Sequence, residues 1–309
     1  MDMGYIAGIG GANVDIHGRA DAPLVMRDSN PGTLHLSMGG VMRNILDNAV
    51  RLGCSVKLAS VVGDDPYGRM LREGCAALGM DTAYLQVRPG RHSSSYISVL
   101  DDDGDMIVAM SDMHIVKELN GAFVAQCLPM LNGAELVVCD GNLSAAALQT
   151  LAQRCTRPLY MDPVSTSWAR EVEPYLAAFD TIKPNRQEME VLAGMPIHTE
   201  AELDAACDAV LARVVRRVFV SLGRDGIYYK GPEGALHGRS HGFDGCVNAT
   251  GAGDATMAGI VRASVLGYDA LRTVQFALGA GLAAISCDDT INPAMSMETI
   301  EYMIKEYVE

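Results

Sequence analysis

The chain has 309 residues, 49% of them hydrophobic and 20% charged, the proportions of a globular protein large enough to bury one substantial core. Asp and Glu outnumber Lys and Arg by 38 to 24, for a formal net charge of −14, which argues against a nucleic-acid binder with its basic stripe. No C-x-x-C pair, secretory leader or run of the ~20 apolar residues a membrane span needs is present, so the expected setting is the cytoplasm, with reduced thiols and no membrane contact.

In chain order, residues 4–16 (GYIAGIGGANVDI) pass from an apolar run into glycines, the pattern of a buried strand ending in a functional turn. Strand-like runs at 56–62, 135–139, 158–162, 179–183 and 217–222 alternate with helical stretches. That alternation predicts an α/β fold with a central, mostly parallel sheet flanked by helices on both faces. Segment 94–110 has two β-type runs around Asp101, Asp102, Asp103 and Gly104, a hairpin assigned to a small sheet apart from the main core. Ligands of parallel sheets gather beyond the carboxyl ends of the strands, where Asn13, Asp140, Asp162, Asn185 and Gly223 fall. No internal repeat or linker divides residues 1–309, which read as one domain.

Residues 247–261 (VNATGAGDATMAGIV) join a glycine turn to a helical stretch. Gly251 and Gly253 let backbone amides approach a ligand, and a helix start adds roughly half a positive charge, so an anionic phosphoryl group suits this place. Asp254 stands at the same terminus, where it could take a proton from an alcohol while the amides hold the phosphoryl. The same letters also suit a tight turn with a capping aspartate. There is no Gly-Lys dipeptide, which excludes a Walker P-loop, and Asn13 stands where a dinucleotide fingerprint needs its third glycine. His237 and His241 have a helical metal-ligand spacing, but Gly-Arg-Ser between them favours strand or loop. Ser111, Asp112 and Met113 either touch substrate or cap a helix, and Ser93 to Ser95 read as polar edge.

NATGAGD at 248–254 resembles the second motif of the ribokinase (PfkB) family of carbohydrate and nucleoside kinases, and further matches follow the family's order along nearly the whole chain. MGGVMRN at 38–44 resembles the first motif, which implies that Gly39 and Gly40 approach the sugar and Asn44 binds its hydroxyls; Arg43 either closes over the substrate's base or phosphate or is a surface arginine on a helix. GGANVDI at 10–16 implies substrate-binding Asn13 and Asp15, and KPNRQEME at 183–190 implies Asn185 and Glu188 near Mg²⁺ and the triphosphate, Glu188 through water. VSLGRDG at 220–226 resembles the nucleotide-binding strand and turn, with Ser221, Gly223 and Gly226. The form Val41-Met42-Arg43-Asn44, with asparagine at 248, is similar to pseudouridine kinases. Aspartate is usual at 248, so Asn248 weakens the case for a monovalent cation (K⁺) there.

The resemblance implies a ribokinase-like fold with a small β lid from about 14–38 and 92–111 that closes over substrate and pairs with a second copy in a homodimer. It further implies ATP and Mg²⁺ as cofactors, with Thr250 and Asn292 on the nucleotide side and Asp112 on the substrate side. Asp254 is the expected base, beside the amides of Gly251, Ala252 and Gly253, and pseudouridine the expected acceptor at its 5′-hydroxyl. A ribokinase, fructokinase or other nucleoside kinase is the first alternative. A non-catalytic nucleoside or nucleotide sensor is the second.

Overall fold

The computed structural model describes residues 4–102 and 105–309; Asp103 and Gly104 of the expected hairpin turn lie outside it. The strands run in chain order as β1 (Ile6–Ile9), β2 (Asn13–Ala20), β3 (Gly32–Gly39), β4 (Val56–Gly63), β5 (Asp81–Arg88), β6 (Ser95–Leu100), β7 (Met106–Asp112) and β8 (Leu136–Asp140). They continue as β9 (Leu159–Asp162), β10 (Thr181–Ile182), β11 (Arg217–Ser221), β12 (Ile227–Gly231) and β13 (Gly234–Gly238). The helices are α1 (Val41–Arg51), α2 (Pro66–Ala77), α3 (Gly121–Gly133), α4 (Ala145–Arg154) and α5 (Thr166–Val172), followed by α6 (Arg186–Ala193), α7 (Glu200–Leu211), α8 (Ala252–Val265), α9 (Ala270–Ile285) and α10 (Met297–Tyr307).

Among the described residues, nine strands form one sheet in the order β13-β12-β11-β10-β9-β8-β1-β4-β5. It is parallel from β11 to β5, while β12 and β13 extend it antiparallel at one edge. Apolar side chains are buried on both faces, one packed against α1 and α8 to α10 and the other against α3 to α7, as a parallel sheet requires. Local chemistry sets the helix starts. Asp65 caps α2 ahead of Pro66, and α6 and α7 each open with a reciprocal capping box. Helices α8 and α9 pack closely because residue 259 is glycine: a Cβ there would lie 2.9 Å from the Ala277 Cα.

A second sheet, in the order β3-β2-β6-β7, forms the expected lid. Its register sorts the side chains by face. Asp15 pairs with Ser37 and Tyr96, and His17 with His35 and Ser98, on the side turned to the core domain. Leu34, Leu36, Ile97, Val108 and Met110 alternate with them on the outer side, where Leu34 is 71% and Met110 72% exposed. The expected strands are present, although β10 shrinks to two residues, and β5 and the β12–β13 hairpin add to them. Ser93 and Ser94 are buried rather than edge residues: the Ser93 hydroxyl accepts from the Gly63 amide and donates to Asp65. All eight cysteines are unpaired, and no helix among the described residues is long and apolar enough to cross a membrane.

Candidate active site

At the start of α8, Gly251 takes the left-handed conformation, φ 81°, and a Cβ on it would fall 2.1 Å from the Thr290 carbonyl oxygen. Only glycine fits that turn. The first amides of α8, including those of Gly253 and Asp254, have no intrahelical acceptor by position and are available to an anion. Asp254, in the first turn, accepts a hydrogen bond of 2.8 Å from the Asn44 side-chain amide on α1. Burial, followed by the Asp162 carboxylate, pushes the Asp254 carboxyl up to about 7, while Asn44, Lys183 and Arg43 pull it down. A carboxylate balanced near neutral pH beside free helix amides is suited to general-base work on an alcohol.

The turns that carry the expected substrate residues are joined by Asp140, at the end of β8. Its Oδ2 accepts from the Gly11 amide at 2.9 Å and the Met42 amide at 3.1 Å, and its Oδ1 from the Asn142 amide at 3.0 Å. One fully buried carboxylate thus joins the β1–β2 crossing to the first turn of α1. Burial pushes its carboxyl up to about 6 against the hydrogen bonds from Gly11 and Asn142. Gly10 must be glycine, since a Cβ would sit 2.4 Å from the Asp140 Cγ. Gly39 and Gly40 follow the same logic: a Cβ at Gly39 would strike Asp15 Oδ2, and Gly40, with φ 98°, lies against Ala12. Asn13 donates to Asp15, whose carboxyl is raised by burial.

Between lid and core lies a cleft of about 780 Å³ lined by Asp15, Tyr96 and Ser98 of the lid, Arg43 and Asp47 of α1, and Thr250 and Asp288 to Ile291 of the core. Arg43 is 2% exposed, paired with Asp47 at 2.9 Å and donating to the Met38 carbonyl and Asn44. It is therefore an organised cleft residue and not a surface arginine. The opposite half forms where β10 and β11 end. Asn185 and Glu188 cap α6 reciprocally, the Asn185 amide donating to Glu188 Oε2 at 2.8 Å. Ser221 bridges to Asn185, and Gly223 and Gly226 carry the following turn with φ 62° and 88°.

Several expected residues stand apart from these two halves. Asn292 is buried, with its side chain engaged by the Ala283 carbonyl and the Ala294 amide, so it braces its own loop instead of facing a nucleotide. Asp112 is spent on His114 at the end of β7, away from the cleft lining. Thr250, expected on the nucleotide side, lines the lid cleft. Asn248 donates to the Asp288 carbonyl and accepts from the Thr250 amide, shaping the loop. His237 lies on β13 and contacts Glu200, as its flanking glycines suggest.

Sequence reading named Asp140 and Asp162 only as strand-end residues and passed over Lys183. The signal for Lys183 was its place next to the Pro184-Asn185 turn at a strand's carboxyl end. Its ammonium is 3.1 Å from Asp162 Oδ2. Among the described residues no three His, Cys, Asp or Glu side chains converge on a metal position. Glu188, 3% exposed beside the Asn185 turn, suits a hydrated Mg²⁺ carried on a triphosphate, an ion that needs few protein ligands.

The family model for pfkB family carbohydrate kinases matches residues 3–297. A pseudouridine kinase of Escherichia coli K12 is 34% identical over 302 residues, 97% of this chain and 96% of that protein. A Clostridium perfringens structure assigned as a sugar kinase superposes with a TM-score of 0.89 and 30% identity over 100% of this chain and 98% of its own. An E. coli protein assigned as ribokinase II, solved with ATP and Mg²⁺, gives a TM-score of 0.84 at 21% identity, covering 98% of this chain and 99% of its own.

Proposed function

The chain belongs to the pfkB family of carbohydrate kinases and is a phosphotransferase acting on an alcohol group, and from that premise we propose that it transfers the γ-phosphoryl of ATP to the 5′-hydroxyl of pseudouridine. The observation that carries the chemistry is Asp254, a carboxyl held near neutral pKa at the open amides of α8. As the hydroxyl oxygen attacks phosphorus, its proton passes to Asp254, the bond to the β-phosphate oxygen breaks, and ADP leaves. The amides of Gly251 and Gly253 would face the charge that spreads over the phosphoryl oxygens, whereas the Ala252 amide, expected beside them, donates to the Ala249 carbonyl at 3.4 Å. Asn185, Glu188, Ser221, Gly223 and Gly226 border the nucleotide. Mg²⁺, reached by Glu188 through water, would offset charge on the triphosphate.

Support for pseudouridine comes from the relative in E. coli and from the cleft. At about 780 Å³ it is large for a lone pentose, and it presents Asp15, Tyr96 and Ser98 from the lid opposite Arg43, polar groups able to engage both a ribose and a base edge. Asn13, Gly39, Gly40 and Asn44 would hold the sugar. We further propose a homodimer in which the outer lid faces meet, because exposed Leu34, Leu36, Val108 and Met110 form an apolar sheet face without cover. The test of the base is Asp254→Asn: ATP affinity should persist while kcat falls roughly 10²- to 10⁴-fold. Full turnover by that variant would remove Asp254 from the mechanism.

A further inference from the structure

Helix α1 carries a chain of polar side chains from its middle turn to the reaction centre. Asp47 is buried and has both oxygens engaged: Oδ2 pairs with Arg43 Nη1 at 2.9 Å, and Oδ1 accepts from Arg51 Nε at 2.8 Å. Arg51 is itself tied to the Pro293 carbonyl at 3.0 Å, so the carboxylate is held from two sides. Arg43, buried as well, has Asp47 as its one ion-pair partner among the described residues. It turns Nη2 to the Met38 carbonyl at 2.7 Å and to Asn44 Oδ1. Arginine has donors only, so the end of the Asn44 amide that faces it must be the oxygen. Asn44 Nδ2 is then left for Asp254, whose Oδ2 it reaches at 2.8 Å. A reversed amide would set its oxygen against a carboxylate and its N–H groups against a guanidinium, two repulsive contacts. Apolar side chains of the same volume stabilise a core at least as well as a buried ion pair. Packing α1 therefore does not call for Arg and Asp at 43 and 47, whereas fixing an amide does.

We propose that Asp47 is a positioning residue for phosphoryl transfer: it holds the Arg43 guanidinium against Asn44, which locks the Asn44 amide with its N–H toward Asp254. The proposal rests on the kinase reading above, with Asp254 as the base. Asp47 acts through Arg43 and Asn44 and not on the reacting atoms. The N–H of Asn44 favours the ionised form of Asp254, the form that takes the proton of the alcohol. It also fixes where Oδ2 lies and leaves the other oxygen to the alcohol. Because the same guanidinium grips the Met38 carbonyl near the end of β3, the lock includes the strand that joins the lid to α1.

The test is a double-mutant cycle. With MgATP and the best acceptor among pseudouridine, uridine and ribose, kcat and both KM values are measured for wild type, Asp47→Ala, Asn44→Ala and the two combined, together with the melting temperature of each. Asp47→Ala should lower kcat roughly 10-fold and leave the KM for ATP within about 2-fold. Asn44→Ala should lower kcat at least as much, and adding Asp47→Ala to it should cost less than about 2-fold more, since no amide is left to orient. Asp47→Ala leaves Arg43 buried without a counter-charge and could fail to fold. Arg43→Met/Asp47→Leu is therefore made alongside; it should melt no lower than wild type yet lose kcat by a similar factor, again with little further loss on top of Asn44→Ala. Losses that multiply with that of Asn44→Ala, wild-type kcat in a folded Asp47 variant, or wild-type kcat in Asn44→Ala each overturn the proposal. Wild-type protein that phosphorylates no alcohol would instead refute the kinase reading.

Discussion

On the proposed mechanism, the carboxyl of Asp254 sets the pH dependence of turnover. With its value pushed up to about 7, about a tenth of the molecules carry an ionised base at pH 6 and about nine-tenths at pH 8, so kcat/KM for the acceptor should rise roughly tenfold across that interval. Nucleotide phosphates also titrate in this range, and Asn44 separates the two. Its amide donates to Asp254 Oδ2 and pulls the carboxyl down, so Asn44→Ala should move the midpoint to higher pH, whereas a phosphate midpoint would stay in place. The assay is initial rate against pH at saturating MgATP and constant ionic strength. Stability supplies an independent check of sign. The folded value lies above the ordinary carboxylate value of 3.8, so the ionised carboxylate costs stability, a cost absent at low pH that grows up to about pH 7 and is constant beyond. Asp254→Asn should therefore melt higher than wild type at pH 8 and equally near pH 4. The gain is at most about 4 kcal/mol, and less because Asp254 is only partly buried by exposed area. A rate profile without a rise between about pH 6 and 8, or a midpoint indifferent to Asn44, would refute the assignment of Asp254 as base.

Two further outcomes follow from the substrate side. Asp140→Asn replaces one of two oxygens that each accept from a backbone amide, Gly11 and Met42 on one and Asn142 on the other, by an N–H in either orientation, so the acceptor KM should rise roughly tenfold while the KM for ATP stays near wild type; equal effects on both would show general damage. Charging the outer lid face with Leu36→Glu and Met110→Lys should shift light-scattering mass from dimer to monomer, and an unchanged mass would locate any dimer contact elsewhere.

Much of this architecture was legible because it depends on local pattern. Alternating strand and helix runs report a parallel sheet, and Gly251 and Gly253 before an apolar stretch mark the α8 turn, where positive φ and close packing on Thr290 require glycine at 251. What stayed hidden depends on distant partners. Asp140 becomes a clamp only when β8 lies beside β1, and Lys183 gains its buried ion-pair partner only when β9 delivers Asp162. Asn292 misled for the opposite reason: an asparagine in a polar loop reads as a ligand contact until its amide is seen bound to Ala283. The short β10 and the β12–β13 hairpin lack a clean hydrophobic signature of their own and are fixed by pairing with their neighbours.

ADP release should be followed with MgATP and, in turn, pseudouridine, uridine, ribose, fructose and guanosine as acceptor. The account predicts that pseudouridine gives the highest kcat/KM by at least roughly tenfold, one good hydrogen bond's worth of discrimination, with the phosphate found on the 5′-oxygen. A preference for ribose or fructose, or ADP release that no alcohol stimulates, would contradict it.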